Sequence, residues 1–253
     1  MKRLILIAIG LLLQATALAR AQDLQVAAAI SMKESLAQCA ADFENESKTH
    51  VRFTFGGSGE LAAQIAQGAP IDLFISAAQD QIDQLARANV VDGASRVVIA
   101  RNRMVLIVPV SAKNPPASFN DLQDGAKTKT IAIGQPRTVP AGKYASQILA
   151  HFRMSTQRLI YGTNVRQVLG YVERGEVSAG LVYHTDAMLA GDKVKVVANA
   201  EESMHDPIVY PAILIRGSAN AAAAAEFLTF LRSEPAQKVL IGNGFVPSTQ
   251  PSK

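Results

Sequence analysis

Leu24-Gln25-Val26-Ala27-Ala28-Ala29-Ile30-Ser31 decides how this chain is read: an apolar run of strand length ends on small residues and a hydroxyl, directly before a helical pattern. Met32, Leu36, Cys39, Ala40 and Phe43 then fall on one helical face. The same order of events repeats at once. Val51 to Phe55 reads as a strand, Gly56-Gly57-Ser58-Gly59 as a turn, and Leu61, Ala62, Ile65 and Ala66 as the apolar face of a second helix, stopped by Gly68 and Pro70. Asp72-Leu73-Phe74-Ile75-Ser76 is a third strand, and Ile82, Leu85 and Ala86 mark a third helix. Strands alternating with helices imply a largely parallel sheet covered by helices.

The two hydroxyl-bearing turns carry chemistry as well as topology. A helix N-terminus presents unpaired N–H groups and the positive end of the macrodipole, and a Ser at the cap adds a hydroxyl pointing the same way. Two such turns converging in one cleft make an oxyanion receptor without a basic side chain. The glycines around Ser58 let backbone approach a ligand closely.

Further along, Met104 to Val110 is a continuous apolar run that ends before Lys113-Asn114-Pro115-Pro116, where the chain must turn. The rhythm then restarts, with Thr130 to Ile133 as strand, Ala145 to Phe152 and Val165 to Val172 as helices, and Ala179 to Tyr183 as strand. A second apolar run, Val209 to Ile215, precedes a helical region from Ala221 to Leu240. The two apolar runs are expected to be strands crossing between two α/β lobes. The expected lobes are residues 22–103 with 208–253, and residues 104–207.

Lys2 and Arg3 precede the apolar run Leu4 to Leu13, and Ala19-Arg20-Ala21 supplies a small-x-small cleavage site, so residues 1–21 read as a secretory signal peptide. The apolar run is well short of the ~20 residues a membrane-spanning helix needs. No Cys sits at the cleavage site to carry a lipid, so the expected destination is the periplasm. Removing Lys2, Arg3 and Arg20 brings the formal charge from +4 to +1, which argues against nucleic acid as a partner. A lone Cys39 excludes an internal disulfide, and its place on an apolar helical face predicts a buried, inert thiol.

Several turns place donors at helix starts or strand ends. Ser31 with Glu34 spells Ser-x-x-Glu, which by itself predicts a capping box. Thr138-Val139-Pro140-Ala141-Gly142 puts Pro near the first position of a helix, and Thr163-Asn164-Val165-Arg166 offers Asn164 as N-cap with Val165 next. Tyr183 ends a strand and offers a phenol, or simply packs. Enzyme signatures fail. Gly56-Gly57-Ser58-Gly59-Glu60 puts Glu60 where a nucleophile elbow needs a small residue, and the order Ser58, Asp186, His205 is the only trace of a hydrolase triad. Tyr144 replaces the Ser/Thr of a P-loop ending, and the four His residues show no metal-ligand spacing. No catalytic residue and no resident cofactor or metal is expected.

Gly68-Ala69-Pro70-Ile71-Asp72-Leu73-Phe74-Ile75-Ser76-Ala77, Val139-Pro140-Ala141-Gly142-Lys143-Tyr144-Ala145 and Gly180-Leu181-Val182-Tyr183-His184-Thr185-Asp186-Ala187 resemble, in this order, motifs of the periplasmic molybdate-binding proteins of ABC transporters. The resemblance runs across almost the whole mature chain. It implies an α/β fold of the two-lobed periplasmic binding protein kind (type II), each lobe a mostly parallel sheet flanked by helices, joined by two crossing strands. A molybdate or tungstate oxyanion would be held between the lobes and passed by a monomeric, non-catalytic protein to an inner-membrane ABC permease. Carried over by motif, the contacts are the hydroxyls and amides of Ser31 and Ser58, the amides of Ala141 and Val165, and the phenol of Tyr183. Molybdenum would be present only within the bound oxyanion. The chain departs from the pattern in the extra glycine around Ser58 and in His184, which is expected to be surface variation. Related receptors for sulfate or phosphate and an exported serine hydrolase are the alternatives. Glu34 and Glu60 lie close in sequence to the two serines, so composition leaves phosphate open unless both carboxylates point away.

Overall fold

The structure, a computed structural model, describes residues 23–154 and 158–248. The expected signal peptide lies outside the described residues. From the N-terminus, β1 (Leu24–Ala29), α1 (Lys33–Ser47), β2 (Val51–Gly56), α2 (Ser58–Ala66), β3 (Leu73–Ile75) and α3 (Gln79–Arg87) follow the expected alternation. β4 (Val97–Arg101) and β5 (Met104–Pro109) come next, then β6 (Ile131–Gly134), α4 (Pro140–His151), β7 (Leu159–Gly162), α5 (Val165–Glu173) and β8 (Ala179–Tyr183). α6 (His184–Ala190), β9 (Val194–Asn199), β10 (Val209–Leu214), α7 (Ala221–Phe230) and α8 (Glu234–Gly242) complete the chain. Among the described residues no helix is long and apolar enough to cross a membrane.

The strands form two five-stranded sheets, in the orders β2-β1-β3-β10-β4 and β7-β6-β8-β5-β9. β1 pairs in parallel with β2 and β3, and β6 in parallel with β7 and β8. In each sheet one strand runs against the other four: β10 is antiparallel to β3 and β4, and β5 to β8 and β9.

These two reversed strands are the long apolar runs, which corrects the expectation that they cross between lobes. Each lies inside a sheet, and β5 is buried along its whole length. A strand covered on both faces needs a continuous apolar sequence, whereas a crossing segment does not. The crossings are instead the short polar step Asn102-Arg103 and the stretch 200–208. They are tied together where the Asn102 amide donates to the Ile208 carbonyl at 3.1 Å.

The C-terminal helices pack on the first sheet. The Phe43 ring on α1 lies 5.0 Å from Phe227 and 5.5 Å from Phe230 on α7. The expected helical region divides into these two helices where Ser233 is extended and Pro235 fits the first turn of a new helix. Asp72, expected within β3, lies just before it. Its buried carboxylate accepts from the Gln25 amide (2.8 Å), the Ser218 hydroxyl (2.6 Å) and the Asn220 side chain (3.1 Å), anchoring the entry to α7. Cys39 is fully buried against α8, and burial pushes its thiol up to about 12, as befits an inert packing residue.

α4 sits unusually close to the end of β6. A Cβ on Gly142 would lie 2.1 Å from the Gly134 carbonyl oxygen, so backbone would have to move. Gly142→Ala should therefore cost about 1–3 kcal/mol in urea unfolding, the scale of overpacking. Gly242→Ala in α8, where a Cβ meets open space, should be neutral or stabilising by up to about 1 kcal/mol. Equal behaviour of the two variants would show that the close approach of α4 to β6 is not real.

Candidate anion-binding cleft

Ser31, Ser58, Ala141, Val165 and Tyr183 all line one small cavity, about 210 Å³ of space free of protein atoms between the two sheets. Their convergence follows from topology. β1, β2 and β8 end at the cavity with Ala29, Gly56 and Tyr183, and the carboxyl ends of parallel strands are where following helices present their N-termini. Ala141 is the second residue of α4 and Val165 the first of α5, so both amides belong to first turns without an intrahelical acceptor. Asn164 caps α5 as expected, its Oδ1 accepting from the Gln167 amide at 3.0 Å.

The serines differ from expectation. Ser31 does not cap α1; it lies in a single tight turn, Ile30–Met32, ahead of the helix, and Met32 occupies the cap position. The capping box is not formed because both of its side chains have distant partners: the Ser31 hydroxyl lies 3.0 Å from the Tyr210 hydroxyl, and Glu34 binds Arg166. Ser58 is the first residue of α2 rather than its cap, which is Gly57. Its Oγ accepts from the Ala77 amide at 3.0 Å, so its own proton is left to donate elsewhere. Tyr183 is fully buried, and among the described residues its hydroxyl has no partner. A buried O–H without an acceptor is costly, which marks the phenol as awaiting one. Burial pushes the phenols of Tyr144, Tyr183 and Tyr210 upward, so all three remain protonated donors.

The glycines near Ser58 have a purpose beside the one expected. A Cβ on Gly59 would lie 2.3 Å from the Thr138 carbonyl oxygen, and one on Gly57 would lie 2.9 Å from that of Thr163. They admit the backbone of the facing turns, not only a ligand. The Gly59 amide donates to Thr138 O at 3.0 Å across the gap. Ala77 clasps both sides, since its carbonyl accepts from the Tyr144 hydroxyl at 3.3 Å.

No charged side chain lines the cavity. Glu60 is exposed. Glu34 is held by Arg166 at 2.6 Å, and Arg166 also pairs at 2.5 Å with the fully buried Asp186. Burial opposes ionisation of Glu34, but the Arg166 guanidinium holds its carboxyl below the usual range. Burial pushes the Asp186 carboxyl up to about 7 against the pull of Arg166. The hydrolase triad is not assembled: Asp186 faces Arg166, His205 is bonded to the Asp206 carbonyl, and Ser58 has neither as partner. Among the described residues no group of His, Cys, Asp and Glu could hold a metal ion. His184 is half-buried at the start of α6 rather than a surface variation. Sequence reasoning missed Tyr210, whose position in an apolar run carries no functional signal, and the pairing of Arg166 with Glu34.

The family of bacterial extracellular solute-binding proteins matches residues 24–246. The molybdate-binding protein ModA of Haemophilus influenzae is 36% identical over 253 residues, covering 97% of this chain and 99% of its own. A putative ABC transporter substrate-binding lipoprotein, YvgL of Bacillus subtilis, is 36% identical over 226 residues, covering 88% and 85%. In fold, the periplasmic molybdate-binding protein of Azotobacter vinelandii superposes with a TM-score of 0.80 at 23% identity, over 91% of this chain and 100% of that one. With two sheets of the two-lobed type II arrangement and a match over nearly all of its described length, the chain belongs to the bacterial extracellular solute-binding proteins.

Proposed function

We infer that this protein captures molybdate, and with it tungstate, in the cleft between two lobes and delivers it to an inner-membrane ABC permease. The lobes are residues 22–103 with 208–253, and residues 104–207. The protein works in the periplasm after removal of residues 1–21, as a monomer without catalysis or resident cofactor. The observation that carries the reading is the buried Tyr183 hydroxyl, unpartnered among the described residues, at a cavity whose lining offers hydroxyls and first-turn amides but no charge. A fully ionised tetrahedral dianion brings acceptors and no proton, so donors alone satisfy it. Helix N-termini add favourable dipoles. The ModA relatives, named for molybdate, support the choice of anion.

Hydrogen phosphate would need an acceptor, and the nearby carboxylates are exposed or paired with Arg166. Sulfate is smaller, so a rigid cage set for molybdate leaves it with stretched bonds and partly unpaired donors. Cross-gap contacts favour closure on the ligand: Glu34 with Arg166, Asp80 with Lys143 at 2.7 Å, and Gly59 with Thr138.

Molybdate or tungstate at a thousandfold excess over its dissociation constant should stabilise the protein by about 4 kcal/mol in thermal unfolding, with far smaller effects of sulfate and phosphate. A larger shift with sulfate or phosphate would assign the cleft to that anion.

Ser58→Ala and Tyr183→Phe should each weaken molybdate binding by about 1.5–3 kcal/mol in calorimetric titration, the scale of a hydrogen bond to a charged group. Unchanged affinity in both folded variants would reduce these residues to packing.

Val165→Pro removes an N–H at a helix position that tolerates proline, whereas Val165→Ala keeps it. The proline variant should fold and bind weakly, and the alanine variant should bind nearly as the wild type does. Equal affinities would show that the Val165 amide is not a ligand.

A further inference from the structure

The side chain of Asn102, in the crossing between β4 and β5, starts a hydrogen-bonded chain that ends at the cleft. Its Oδ1 accepts from the Arg103 amide at 2.9 Å, and a backbone N–H can only donate, so the orientation of the side-chain amide is fixed. Its Nδ2 therefore donates, to the Thr185 hydroxyl at 3.0 Å and to the Tyr210 hydroxyl at 3.2 Å. Tyr210 is fully buried, and its only other hydroxyl partner among the described residues is Ser31 Oγ at 3.0 Å. Having accepted from Asn102, the phenol must give its proton to Ser31 or leave it unpaired. Ser31 then accepts from Tyr210, and its own proton has no acceptor among the described residues.

We propose that Asn102 and Tyr210 are positioning residues that set the direction of the Ser31 hydroxyl, making it a donor into the cleft and biasing the cleft toward oxyanions that carry no proton. This rests on the oxyanion-binding reading above and deepens it. Burial keeps the Tyr210 phenol protonated, so the relay retains its direction. Each donation in such a chain also polarises the next, so Tyr210 strengthens Ser31 as a donor. An isolated serine hydroxyl could turn to accept from a protonated ligand; this one is committed by a residue in the crossing.

The relay can be reversed by one near-isosteric change. In Asn102→Asp, the oxygen replacing Nδ2 faces two hydroxyls, both free to rotate and donate to it. Tyr210 would then donate toward residue 102 and accept from Ser31, which would show the cleft a lone pair. The test is calorimetric titration of wild type and variants with molybdate, tungstate, sulfate and phosphate at mildly alkaline pH. Hydrogen phosphate and molybdate are both dianions there, so the added carboxylate repels them alike.

We expect the ratio of molybdate to phosphate affinity to fall at least about tenfold in Asn102→Asp, the equivalent of one hydrogen bond. Tyr210→Phe should lower molybdate affinity about tenfold in the wild-type background and have no effect beside Ser31→Ala, because it acts through that hydroxyl. An unchanged ratio in folded Asn102→Asp overturns the relay. If that variant does not fold, additive losses in the Tyr210 and Ser31 cycle overturn it instead. Wild type binding none of the anions removes both the oxyanion reading and the relay, whereas wild type binding molybdate with unresponsive variants removes the relay alone.

Discussion

A buried hydroxyl or amide must have a partner, and at the junction of the two sheets the Tyr183 hydroxyl finds none among the described residues; in the function proposed above, the missing partner is an anion. Parallel strands deliver helix N-termini to one edge of a sheet, and two such edges face each other across the cavity lined by Ser31, Ser58, Ala141, Val165 and Tyr183. Ser58 shows the consequence most simply. Its oxygen is already engaged by the Ala77 amide, so only its proton is left to bind with. Because no charged side chain lines the gap, an anion held there, as proposed above, would be attracted by first-turn peptide groups and hydroxyls, with no basic side chain to hold any anion regardless of shape.

A carboxylate turned into the cleft would defeat this arrangement; Glu60 is exposed, and Arg166 holds Glu34 and Asp186. Its guanidinium spans Glu34 from α1 and Asp186 from α6, so it neutralises the one and shares the other while joining the two halves of the molecule. The flat, forked guanidinium suits such double pairing better than an ammonium would. One residue after the Val165 amide, it also fixes where α5 begins relative to α1.

Much of this was legible in the sequence. The alternation from β1 to α3, the proline start of α4 and the Asn164 cap are local chemistry, and local chemistry is what spacing reports. The elements that escaped notice are short or lie at sheet edges. β7 and β9 are edge strands with Ile160, Tyr161 and Val196 exposed, and α6 spans only seven residues. The Ser31 capping box failed for a different reason: a local motif lost both of its members to partners far away in the chain, which no spacing rule encodes. The apolar runs were recognised as strands but assigned to the crossings, because continuous hydrophobicity reports burial on both faces and says nothing of which sheet supplies the burial.

The position of β10 also determines the order in which the chain can be completed. The second sheet draws all its strands from one continuous stretch, β5 to β9, whereas the first has its gap between β3 and β4 filled only by β10, with Tyr210 set against Ala100. Pairing across so long a separation is entropically slow to form, and until it does β4 has no neighbour in its sheet. The strand that closes the sheet also carries the phenol that reaches Ser31. A chain whose first half is still unfinished therefore lacks a complete cleft, which is assembled only in the fully folded molecule.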